Sequence, residues 1–492
     1  MPYSPTHNEK MLPWIIAALA GLLAALLLRR NVPLWRRLLF AGPLLGVAAV
    51  AVLFAFGMHM EMEGGGVPRF VTFQNPEKQA AQIEADRATE PAKPVPEAVK
   101  VKEPSIVEAA VTAVWPDYRG PARDGSSSEK ILTNWPDGKL TELWRKPIGA
   151  GWASFVIAGA LAFTIEQRRQ QEVIAAYDTA SGREVWTHKY NADFQESMGG
   201  NGPRATPTWH DGKLYSLGAT GEFFVLDAAS GKVLWHKNIL DENGAENITW
   251  AMSASPLIVD DTVIVQPGGP NGKSIVAYNK NTGARAWSSL NDRSSYASPM
   301  LVTLNNKRQI VTITAVRAVG LDATTGKLLW EYPWTTEYDI NSAQPILIPP
   351  NKVVISSGYG HGAALLEITD SGAKKIWENK KLKNKFNSSV YFEGHIYGFD
   401  ESIFTCIDAK TGEPTWKAGR YGYGQVLLAS GHLVITSEQG EVILLKADPT
   451  AHRELYKFQA LEGRTWNVPA IADGRLFVRN GTEMAAYKIS AP

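Results

Sequence analysis

Nine side chains carry most of the chemistry this chain offers: Trp152, Glu196, Arg204, Trp250, Tyr296, Asn341, Asn387, Tyr423 and Trp466. Flat aromatic faces interspersed with a few polar groups are what the wall of a ligand pocket is made of. The competing reading is aromatic packing in a narrow channel, with Arg204 ion-paired to Glu196 in its own loop. No catalytic residue and no metal ligand is assigned. The nine histidines are scattered, with no pair at ligand spacing. Cys406 is the single cysteine, which excludes an intrachain disulfide and a cysteine-held metal cluster.

These residues fall in loops of a repeat. Its clearest copy covers 225–235, where Asp227, Gly231 and Trp235 stand four apart. Asp227 suits an Asx turn, and Gly231 supplies the positive φ of a hairpin closed by a turn and a one-residue bulge. The spacing recurs in Asp178, Gly182 and Trp186; in Asn279, Gly283 and Trp287; in Asp322, Gly326 and Trp330; and in Asp408, Gly412 and Trp416. Looser copies cover 367–377, with Gly372 one place late, and 447–456, where Tyr replaces Trp. Trp144 stands alone upstream. The marks are separated by between 39 residues (377 to 416) and 52 (235 to 287). A fixed supersecondary unit at such a period predicts a propeller or solenoid. Each copy has an upstream strand–turn–strand half, as in 206–216, which makes eight units of four strands.

The ends decide between the two. The eighth unit runs out at 488–490 without its Trp strand, and the strand at 142–147 around Trp144 has no unit before it. A solenoid would leave both as exposed edges, whereas a ring joins them in one sheet. The sequence therefore predicts an all-β, closed eight-bladed propeller over 115–492. Its mouth is formed by the loops that lead into the innermost strands, and these hold the nine side chains above.

Ahead of the propeller, 12–28 and 38–58 are apolar runs long enough to span a bilayer as helices. Arg29, Arg30, Arg36 and Arg37 sit between them and favour a cytoplasmic loop. The expectation is a two-helix hairpin in a bacterial inner membrane with the propeller in the periplasm. Whether the first run is cleaved as a signal peptide stays open. Residues 59–114, rich in Pro, Glu and Lys, read as a tether of roughly 40 Å as a coil, with a short helix near 77–88. The net charge of +1 gives no reason to expect nucleic acid. The basic run 380–385 reads as a solvated loop face.

The Asp-x-x-Thr-Gly-x-x-x-Trp turns resemble the docking repeats of PQQ-type quinoprotein propellers, which include alcohol and glucose dehydrogenases and BamB-type assembly factors. The stretches 115–125, 196–207 and 419–425 are similar to PQQ-like repeat proteins of unestablished role. The resemblance implies the fold and leaves two activities open. One is a membrane-tethered binding or scaffolding module for a periplasmic or envelope protein or a small ligand, or a sensor whose hairpin recruits a membrane partner. The other is a PQQ-dependent alcohol or sugar dehydrogenase that passes electrons to membrane quinone. A dehydrogenase of that type would hold PQQ with Ca²⁺. Glu196, Asp339, Asn341 and Asn387 would offer oxygens, and Trp250 or Trp466 would stack on the quinone. It would also use an adjacent-cysteine disulfide, which one cysteine cannot make, and the chain has no Cys-x-x-Cys-His for covalent haem.

Overall fold

The computed structural model describes residues 115–490 and, ahead of them, 33, 35, 42–43, 45–47, 49–50, 58–66, 68–73 and 76–89. The apolar run 12–28 lies outside the described residues, as does most of 38–58, whose last residue, Met58, opens a strand. Among the described residues no helix is long and apolar enough to cross a membrane.

The chain forms two compact units, one of Met1–Met62 with Gly66–Gln79, the other of Glu63–Gly65 with Ala80–Pro492. The first contains an antiparallel pair of strands, Met58–Met62 and Pro68–Phe73. Part of the stretch read as a tether is thus regular structure. The helix expected near 77–88 is Pro76–Ala88, with an acid, Glu77, in its first turn and Arg87 in its last, both favourable to its dipole. Within the second unit, Ala80 and Ile83 of this helix are buried, and Arg87 pairs with Glu184 at 2.8 Å.

The rest of the second unit is a ring of eight four-stranded antiparallel sheets, seven with their strands in consecutive order and the eighth completed by a strand from the start of the propeller; a fifth short strand adds in parallel to the seventh. The ring closes as the sequence requires. Thr141–Pro147 lies along Glu483–Lys488, with Trp144 opposite Ala486. The edges that a solenoid would expose are therefore paired with each other, apart from a bulge at Leu143.

The repeat motif joins blades as well as strands. In the copy at 227–235, the Asp227 side chain accepts from the Ser230 amide at 2.8 Å, Gly231 takes φ +70°, and a bulge follows opposite Leu226. The indole of the preceding blade then seats on that turn. Trp186 donates its Nε1–H to the Ala228 carbonyl at 3.0 Å, and Trp144, Trp235, Trp377 and Trp416 make the matching bond to Thr179, Lys280, Ala409 and Asp448. A Cβ on Gly182 would stand 2.6 Å from the Trp144 ring. The glycine is thus needed twice, for its dihedral and for the face it leaves open. The loose copy at 367–377 shows what happens without it. Its hairpin is a shorter turn between Thr369 and Gly372, so Trp330 of the preceding blade bonds Gln309 of its own sheet at 2.7 Å.

One more segment shapes the channel. Residues 115–127 cross its axis. Trp115 bridges to Ile157, the Trp209 amide donates to the Pro116 carbonyl, Arg123 donates to the Ser255 and Pro256 carbonyls, Arg119 to those of Ser388 and Ser389, and Ser126 pairs with Leu428. In the innermost strand Gln425–Ala429, Leu428 lies at the end away from Gln425. Gln425 in turn bonds the Phe386 and Trp466 carbonyls of the mouth loops. The segment therefore ties five of the eight blades to one another across the channel.

The closing indole is the most exacting test of this architecture. Trp144→Ala removes a large side chain, 8% exposed, from the blade that the two ends of the propeller share. We expect a loss of about 3–5 kcal/mol in urea unfolding, with Gly182→Ala also destabilising because its methyl meets the same ring. A midpoint within error of the wild type for both would mean that ring closure does not depend on the docked indole.

Candidate functional site

The mouth loops bring Trp152, Tyr423 and Trp466 into one aromatic band. Trp152 and Trp466 have centroids 5.0 Å apart; Phe386 lies 4.6 Å from Trp466 and 5.8 Å from Tyr423. Arg464 lies over both indoles, 4.4 Å from Trp466 and 5.0 Å from Trp152, a cation–π stack that covers ring faces otherwise open to a ligand. Trp152 donates its Nε1–H to the Gly199 carbonyl at 2.6 Å, which ties this band to the loop 194–204. Trp250 and Tyr296 form a separate edge-on pair at 6.1 Å.

The remaining predicted residues turn inward. Asn341 is fully buried; its amide donates to the Thr314 and Trp334 carbonyls and its oxygen accepts from Ser357 at 2.7 Å. Asn387, also buried, donates to the Gly424 carbonyl and accepts from the Lys385 amide. Glu196 closes its own loop by accepting from the Met198 and Gly199 amides. Arg204 donates to the Gly200 and Gly202 carbonyls, each at 3.0 Å, and stacks 5.1 Å from Phe194. Burial pulls its guanidinium down to about 10 against the opposing pull of Glu196, so it stays charged at neutral pH.

This arrangement tests the cofactor that the quinoprotein resemblance implies. A calcium ion takes about six to eight oxygens at a common point. Here the oxygen of Asn341 is bonded to Ser357, that of Asn387 to Lys385, Glu196 holds two loop amides, and Asp339 pairs with Arg293 at 2.9 Å. Of the two indoles expected to carry a quinone, Trp466 has Arg464 over it and Trp250 is paired edge-on with Tyr296. The residues present do not fit a PQQ–calcium pair.

Two buried charged residues absent from the sequence-based site, Lys385 and Glu438, complete the mouth. Lys385 was expected in a solvated run; it is instead 8% exposed, 3.7 Å from the Glu401 carboxylate, with its ammonium 4.5 Å from the Tyr359 ring and 4.7 Å from Tyr423. Burial lowers its pKa while Glu401 raises it, with a net lowering. Glu438, 1% exposed, accepts from the Trp466 indole at 2.8 Å and from the Tyr423 amide at 3.2 Å. Comparing repeats would have found it. The turn 218–222, Gly-Ala-Thr-Gly-Glu, matches 437–441, Ser-Glu-Gln-Gly-Glu, so Glu438 replaces the alanine at 219 with a charge. Lys385 carries no such signal, because its neighbours Lys381 and Lys383 also meet carboxylates, Glu413 and Asp400.

A ring of eight four-stranded blades docked by tryptophans defines a Trp-docked propeller of the PQQ-like repeat class. The model of the family described as outer membrane protein assembly factor BamB matches residues 169–418, and the chain belongs to that family. It is 33% identical over 116 residues to the assembly factor BamB of Shewanella oneidensis, covering 23% of this chain and 26% of that one. It is 34% identical over 124 residues to the quinohemoprotein alcohol dehydrogenase of Comamonas testosteroni, covering 23% of this chain and 16% of the dehydrogenase. The matches thus span about a quarter and a sixth of those curated relatives. Among solved structures, BamB from Moraxella catarrhalis superposes with a TM-score of 0.52 at 15% identity, covering 71% of this chain and 98% of that one. The Comamonas testosteroni dehydrogenase gives 0.61 at 14% identity, covering 84% and 85%. At such identities the likeness shows the fold alone.

Beneath the rim, Glu172 accepts from the Ala219 amide at 2.9 Å and bonds the Tyr190 hydroxyl. Burial pushes its carboxyl up to about 7 from an ordinary 4.5. Between those values the folded chain keeps a proton that the unfolded chain has lost. Its contribution is therefore whole below pH 4.5 and declines as pH rises through 7. The full swing is at most about 3 kcal/mol. We expect Glu172→Gln to flatten the fall in urea midpoint that the wild type shows between pH 5 and pH 8 (roughly the window of that shift). Identical slopes for the two proteins would remove Glu172 from the account.

Proposed function

We propose that this chain is a non-catalytic binding propeller, tethered to the bacterial inner membrane through its N-terminal hairpin, with the blades in the periplasm. Its mouth takes a segment of a protein partner. The observation that supports this is the disposition of the mouth: oxygen donors are spent on internal bonds, while aromatic rings and two buried charges, Lys385 and Glu438, face the axis. A mouth walled by indoles with a cation stacked on them suits recognition, since the oxygens that a metal-bound quinone needs are already bonded within the fold. Membership of an assembly-factor family supports the same reading.

Two measurements test it. The full-length protein in detergent, incubated with PQQ and Ca²⁺, is expected to show no retained quinone absorbance after desalting and no alcohol- or sugar-dependent dye reduction; stoichiometric retention with turnover would overturn the reading. For the tether, a phosphatase reporter fused after residue 492 should be active in the periplasm, with the 29–37 loop labelled only from the cytoplasmic side. The opposite labelling would reverse the orientation that the four arginines support.

A further inference from the structure

Residues Glu63–Gly65 belong to the same compact unit as the propeller, and Gly64 lies in the mouth. Its amide donates to Glu438 Oε1 at 2.7 Å, and its carbonyl accepts from Lys385 Nζ at 2.7 Å. One residue's two backbone groups are thus held by two buried, opposite charges. The fit excludes a side chain. A Cβ on Gly64 would overlap the Tyr423 ring and stand 2.8 Å from Phe386 Cζ. Gly65 lies against the Tyr423 edge, where a Cβ would stand 3.4 Å from the hydroxyl.

The charges also explain themselves better with this occupant than without it. A buried carboxylate needs hydrogen-bond donors and a buried ammonium needs acceptors. Glu438 has the Trp466 indole and the Tyr423 amide, and the Gly64 amide is its third donor. Lys385 has Glu401 at 3.7 Å, beyond hydrogen-bonding distance, and two ring faces; the Gly64 carbonyl gives it a close acceptor. Aromatic walls set the width of the slot at that of a bare peptide unit.

We propose that the mouth is a receptor for a glycine-containing peptide turn, and that residues 63–65 are its resident occupant, which a partner's glycine turn must displace. This rests on the reading of the mouth as a protein-binding site and names what it recognises. Because the resident segment is tethered, its effective concentration is of millimolar order, and a free peptide competes poorly against it.

The test uses the full-length protein in detergent and a capped hexapeptide with the sequence of residues 62–67. Gly64→Leu should expel the resident segment. We expect no binding of the peptide to the wild type up to ~1 mM, and at least about tenfold tighter binding to the Gly64→Leu protein. The same peptide with leucine at its first glycine, the one that matches Gly64, should not bind. Adding Glu438→Gln or Lys385→Met to Gly64→Leu should each weaken binding about tenfold, as for loss of one charged hydrogen bond; the pair guards against either variant failing to fold. Amide exchange at Gly64 in the wild type should be slowed relative to the free peptide. Equal peptide affinity in wild type and Gly64→Leu, or free exchange at Gly64, would overturn the proposal. Those outcomes leave the quinone assay untouched, so the proposal and the wider reading can fail separately.

Discussion

Everything in the propeller depends on an indole lying on the next blade's turn. A four-stranded sheet buries both faces only between two neighbours, so no blade is stable alone. The docked tryptophan fixes the angle between neighbours, because its ring must reach the glycine face while its N–H meets one carbonyl, as Trp144 does with Gly182 and Thr179. Repeated around the axis, that angle leaves a ring that closes with eight sheets and two chain ends in register. Where the turn is altered, at 367–377, the indole withdraws into its own sheet, and the wall there is held by apolar packing, with Val353, Ile355 and Leu366 buried against Trp330.

The same constraint separates structural from recognising residues. Outer turns carry the docking, so the loops at the mouth are released from it and vary in content. Some of that content is spent on holding loops to one another. Asn341 satisfies carbonyls that would otherwise be buried without donors, as Asn387 does for Gly424. Such asparagines resemble ligands in sequence and serve as braces in the fold. The segment 115–127 does a related task, with Arg119 and Arg123 supplying donors to the carbonyls of Ser388, Ser389, Ser255 and Pro256, just ahead of two innermost strands.

How much of this could be read from the sequence follows from distance along the chain. The blade, its bulge and the closing strand were legible because Asp227, Gly231 and Trp235 act on each other within nine residues, and because counting strands left two orphans. The aromatic band was legible in part: Trp152, Tyr423 and Trp466 meet, as loops at one mouth must. Their partners were not. Arg464 over two indoles, or Lys385 between two tyrosines, is a contact among loops of different blades, and nothing local distinguishes Lys385 from the solvated Lys381 four residues earlier. What the oxygens of Glu196, Asp339, Asn341 and Asn387 already hold was hidden for a matching reason. Residue type shows what an oxygen can bind, and only the fold shows what already holds it.

A buried pair of unlike charges is poor evidence for stability, since desolvation opposes the attraction and an apolar pair of equal volume often does as well. Lys385 and Glu438 are therefore better understood through what lies between them than through each other. Neither forms a close ion pair with the other; each instead meets one backbone group of Gly64, the amide for Glu438 and the carbonyl for Lys385, beside the Phe386 and Tyr423 rings. Low polarity strengthens each of those bonds and raises the cost of leaving either charge without a partner. A slot of this kind favours being filled. It selects its occupant by the absence of a side chain, a criterion that backbone charges and ring spacing can enforce without reading any other feature of the ligand.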